Sequence, residues 1–160
     1  MMSTKNYKEE VLKLVASVME DAQNQEDRED NADFLERTLN AMPAYFNQVV
    51  TGENSIAVAR FRSESPADFQ ATVMEIDRRR KISHDAMMGA ITALNRQSRR
   101  FGLTPLYEGD ETDRWAMADF CEEFVCDIFN RRYHGKGTAF ADGKAIDERI
   151  DVSKVLGKEI

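Results

Sequence analysis

Arg80, Ser83 and His84 are the residues of this chain whose types and spacing come nearest to a reactive constellation. An arginine and a histidine four residues apart share one side of a helix. Beside an apolar seam, such a pair could hold an anionic ligand or position a reacting group. The competing reading is structural. A guanidinium within a helix-packing seam needs a carboxylate partner, with Glu122 the first choice and an N-terminal carboxylate the second. Such a polar layer fixes helix register without any chemistry, and one cation with one histidine names no reaction. Arg80, Ser83, His84 and Glu122 are therefore expected as ligand or polar-layer residues, with Arg80 mostly buried and paired, and no residue is expected to be catalytic.

Carboxylates offer a second chemistry. Asp33 with Glu36, and Glu123 with Asp127, sit one turn apart on two helices. Four converging carboxylates could coordinate Mg²⁺, as in all-helical hydrolases of phosphorylated nucleotides. Against this, Glu123 and Asp127 lie with Asp119 and Asn130 opposite the apolar arc of their helix, which is the pattern of a solvated face. His84-Asp85 resembles the metal-binding pair of phosphohydrolases, but those sites need further ligands, and the second histidine of the chain, His134, lies near the C-terminal stretch. Neither a metal nor a cofactor is expected.

The basic run Arg78-Arg79-Arg80-Lys81, with Arg96, Arg99 and Arg100, could meet phosphates. Four consecutive helical residues point all around the axis, however, and form no stripe. Residues 1–51 carry ten acidic against five basic side chains, whereas residues 65–101 carry four against seven. That complementarity is internal, so direct nucleic-acid binding is not expected. No glycine-rich phosphate loop, nucleophile elbow or cysteine–histidine metal spacing appears.

These residues must be positioned by helices. Three prolines and eight glycines in 160 residues are too few for a turn-rich β protein, and the length suits one domain with a sizeable core. A helix over about 4–24 carries Tyr7, Val11, Leu14, Val15, Val18 and Met19 on one face. A polar connector, 23–30, leads to a second helix from about 32, capped by Asp30 or Asn31. Its stripe keeps phase through Pro43, which predicts a kinked helix that ends near Gly52 or runs on to about 62. The third and longest spans about 65–101: Ser65 and Pro66 suit its start, Arg99, Arg100 and Gly102 its stop. Phe69, Val73, Ile76, Arg80, Ser83, Met87, Ala90, Leu94 and Phe101 form its seam. Met74 and Met88 fall on its flank and mark a second apolar contact, with another helix or another subunit. An apolar loop, 102–109, leads to a fourth helix from Asp110 or Thr112 to about Arg132, whose arc includes Trp115, Phe120, Cys121, Phe124 and Val125.

Cys121 and Cys126 diverge by about 140° on one helix and cannot bridge each other, which favours a reducing compartment. The N-terminus mixes Lys5, Lys8, Glu9, Glu10 and Lys13 among its apolar residues, so neither a signal peptide nor a membrane span is read there, and a cytoplasmic location is expected.

Arg78 to Ala86, Leu94-Asn95-Arg96 and Phe101-Gly102-Leu103 resemble the central helix of a small family of all-helical bacterial proteins of unknown function, mainly Gram-positive. The run from Asp113 to Phe120, ending near Arg131-Arg132, resembles its last helix. The resemblance implies a helical bundle and carries over no activity. The expectation is an all-α, antiparallel bundle of four main helices over 1–133, followed by a tail, 134–160, that is mobile or docks late. Its leading function is a non-enzymatic interaction or regulatory protein with a protein partner or as a homodimer. A metal-dependent hydrolase of phosphorylated nucleotides, and an acidic protein that occupies a partner's nucleic-acid-binding surface, are the alternatives.

Overall fold

The computed structural model describes residues 5–131 and 146–157. Four main helices form an antiparallel bundle: α1 (Tyr7–Glu20), α2 (Gln25–Arg62), α3 (Pro66–Arg100) and α4 (Arg114–Ile128), with a short α5 (Val152–Leu156) behind them. Each of the four starts on a side-chain cap that satisfies a first-turn amide: Asn6, Asn24, Ser65 and Asp113 accept from the backbone N–H of Glu9, Asp27, Asp68 and Ala116. α3 ends as its sequence predicts. Gly102 takes a left-handed φ of +70°, and the N–H groups of Gly102 and Leu103 return to the carbonyls of Arg99 and Ser98.

The helix boundaries differ from expectation in three places. α2 begins at Gln25, so most of the polar stretch expected as a connector forms its first two turns. The competing cap, Asn31, instead donates its side-chain amide to the Val18 carbonyl and ties α2 to α1. Polar residues alone do not break a helix when a cap and first-turn acids (here Glu26 and Asp27) favour its N-terminus. α2 then runs through Pro43 and Gly52 to Arg62. α1 and α4 are each shorter than expected, because Asp21 ends α1 and Asn130, at φ +55°, turns the chain after α4.

The core lies where all four main helices meet. Leu14 and Val15, Leu35, Leu39, Met42 and Val50, Met87, Ile91 and Leu94, and Met117, Phe124 and Val125 are all sealed from solvent. Burying each such side chain favours folding by about 1.5–3 kcal/mol. Tyr7, Tyr107, Phe120 and Phe124 close one end, with ring centroids 5.2–5.8 Å apart. Asn95, fully buried, holds the loop there by exchanging two hydrogen bonds with the Tyr107 backbone. The apolar loop therefore caps the bundle.

Residues 146–157 pack on α1 and α2, and Ile146, Ile150 and Val152 are buried in the core. Two asparagines on α2 hold the extended part. Asn47 exchanges N–H···O bonds with the backbone of Ile146, and Asn40 does the same with Ile150. Their spacing of seven places both amides on one face of α2, two turns apart. The rest of the expected tail, 134–145 and 158–160, lies outside the described residues.

Beyond the core, α2 and α3 continue as a pair. From Thr51 to Ser83 the only described residue that is fully buried is Gly52. This two-helix arm has about 27 Å of α3 along its length. Its seam (Ile56, Phe69, Val73 and Ile76) is half-buried, while Val58, Phe61, Met74 and Ile82 face solvent.

Candidate functional site

At the root of the arm, where α2, α3 and α4 meet, Tyr45, Arg80, Lys81, His84, Arg114, Trp115 and Ala118 line a cleft of about 290 Å³. α2 supplies Tyr45, the middle of α3 supplies Arg80, Lys81 and His84, and the first turns of α4 supply the rest. The cleft has a structural cause. A β-carbon at Gly52 would lie 2.8 Å from Arg80 Nε and 3.0 Å from Ile76 Cγ2, so the glycine lets the guanidinium lie directly on α2.

Three of the lining residues are cations and none is acidic. Arg80, Lys81 and Arg114 form no ion pair with any described residue, whereas Arg78 and Arg79 share Glu75, and Arg99 and Arg100 reach Glu111 and Asp21. Arg80 is half-buried, and its Nε is enclosed with no hydrogen-bond partner. The expected Arg80–Glu122 pair is not formed: Glu122 is buried on α4, but Arg80 turns onto Gly52 instead. The seam spacing placed Arg80 between helices; it could not show that a glycine opposite would let the side chain lie flat.

His84 is 8% exposed. Its Nε2 lies 3.2 Å from the Arg114 carbonyl, which can only accept, so this nitrogen carries the proton. Nδ1 is buried without a partner. The ring meets Tyr45 edge to face, with centroids 5.2 Å apart. Burial pushes the Tyr45 hydroxyl up to about 12, with Cys121 and Glu122 adding to the rise and Arg80 and Arg114 opposing it. Tyr45 is thus a neutral donor at any ordinary pH. Ser83 is half-buried one residue before His84 and does not line the cleft.

Trp115 is the residue that sequence reasoning misplaced. It was expected on the apolar arc of α4, yet it is 84% exposed at the mouth of the cleft. Its position in the first turn explains this, because the fully buried residues of α4 begin at Met117.

The four carboxylates do not come together. Asp33 is exposed and paired with Arg37, while Glu36 accepts from the Val152 backbone at 3.4 Å. Glu123 is half-buried and Asp127 exposed on α4. Among the described residues, no group of three or more His, Cys, Asp or Glu could hold a metal ion. Cys121 and Cys126 are free and buried, and Cys121 donates to the Met42 carbonyl. Burial raises both thiols, Cys126 to about 11. Among the described residues, no helix is long and apolar enough to cross a membrane.

Residues 2–134 match the model of a family described as a protein of unknown function (DUF3232), and the chain belongs to that family. No curated protein and no solved structure matches it.

Proposed function

We propose that this member of the family is a non-enzymatic, cytoplasmic interaction protein whose contact element is the α2–α3 arm and whose partner there is a second copy of the chain. The observation that carries this reading is the arm's burial. Its seam is no better than half-buried over residues 51–83, and it leaves Phe61 at 89% and Met74 at 65% exposed. Two helices alone cannot enclose their apolar faces, whereas two arms packed as a four-helix bundle can.

Charge favours a second copy as the occupant. Residues 51–83 hold six basic and five acidic side chains, so the remainder of the chain carries a net −8 out of the total −7. Two nearly neutral arms can approach without penalty. Antiparallel pairing would keep the two acidic bodies at opposite ends of the assembly. Cysteine cross-linking tests the geometry: on a background with both native cysteines replaced, a cysteine at Met74 should give a covalent dimer under mild oxidation. A cysteine at Glu29, on the acidic body, should not. Equal cross-linking at both positions would overturn the assignment.

A further inference from the structure

We propose that the cleft at the root of the arm binds a small planar ligand that carries a phosphate, of the size of a nucleoside monophosphate. Four observations converge on this class. Arg80, Lys81 and Arg114 surround the cleft and, among the described residues, no acidic side chain lines it and none of the three is paired with a carboxylate, in a chain of net charge −7. Unpaired cations gathered against the prevailing charge provide a site for an anion, and guanidinium forks match phosphate oxygens. At the mouth, Trp115 offers an almost fully exposed indole face on which a ring can stack. Deeper in, Tyr45 is a neutral donor, and His84 keeps a buried Nδ1 with no hydrogen-bond partner. A volume of about 290 Å³ is at the small end of ligand cavities, which suits one ring and one phosphate rather than a polymer.

The site joins three helices, so a ligand there bridges α3 and α4 and engages Arg80, which rests on Gly52. Phe61 and Met74, the side chains on which the proposed self-association rests, lie farther out on the arm than the cleft.

Trp115 is the only tryptophan in the chain, so its fluorescence reports on the cleft directly. Full-length protein is titrated with adenosine 5′-monophosphate, with adenosine and with inorganic phosphate. The expected result is a saturable change with the monophosphate, with adenosine and phosphate each weaker by about tenfold or more. Lys81→Gln with Arg114→Gln should weaken the monophosphate by about tenfold or more while the circular dichroism and melting temperature stay unchanged, since both side chains are exposed. Phosphate binding as well as the monophosphate would overturn the planar ligand. A response retained in the double variant, or no saturable response to any probe, would overturn the site. Tighter binding of a single-stranded oligonucleotide would replace the small ligand with nucleic acid.

Discussion

Gly52 on α2 lies directly beneath the Arg80 guanidinium of α3, close enough that a β-carbon there would approach Nε to 2.8 Å. The contact sets the helix spacing at the point where the core ends and the arm begins. Gly52→Leu should therefore overpack the root and cost about 1–3 kcal/mol. Gly52→Ala should be nearly neutral, because the better helix propensity of alanine, about 1 kcal/mol, offsets the displacement of a flexible side-chain end. Adding Arg80→Ala to Gly52→Leu should recover part of the loss. A double-mutant cycle in urea measures the coupling, and strict additivity would show that the two residues do not press on each other.

The asparagines on α2 make a second expectation. Asn47→Ala would leave the N–H and C=O of Ile146 without their partners in a half-buried setting, at a cost of about 1–3 kcal/mol. Amide hydrogen exchange at Ile146 and Ile150 reads this locally. Both amides should be protected in the wild-type chain, and Ile146 should lose protection in the variant while α3 keeps its own.

The division at residue 133 leads to a related test. The family match covers residues 2–134, and the expectation tested is a core that folds without the segment beyond it. Removal of everything after Tyr133 would also uncover the places of Ile146, Ile150 and Val152. We expect a chain that still unfolds cooperatively but melts several degrees lower. Loss of cooperative unfolding would make residues 146–157 an integral part of the domain.

Alkaline stability follows from Tyr45. Its folded value of about 12 exceeds the ordinary 10.0, chiefly because burial disfavours the phenolate. The folded state therefore holds this proton more tightly than the unfolded chain does. The resulting stabilisation is complete below about pH 10 and is lost as the pH rises towards 12. Tyr45→Phe should flatten that part of the stability profile. An unchanged slope above pH 10 would place the hydroxyl in water.

Much of this architecture was legible in the residues. Ser65-Pro66 and Gly102 bounded α3 almost to the residue because caps act locally. The stripes of α1, α2 and α4 named most of the core, since one face of a helix must be apolar. Arg80 and His84 were singled out by their place in a seam. What failed depends on relations across the fold. Arg80 found a glycine rather than Glu122, Trp115 escaped an arc whose buried part begins at Met117, and Arg114, not among the candidate site residues, entered the cleft through tertiary packing alone.

The central claim concerns the arm, and sedimentation equilibrium of the intact chain tests it most directly. Wild-type protein at about 100 μM should fit a monomer–dimer equilibrium, and Phe61→Asp with Met74→Asp should be monomeric, because buried aspartates would oppose packing at the arm interface. Both side chains lie outside the core, so the variant should keep its helicity and melting temperature. A wild-type chain that is monomeric throughout, or a double variant that dimerises equally well, would contradict the account.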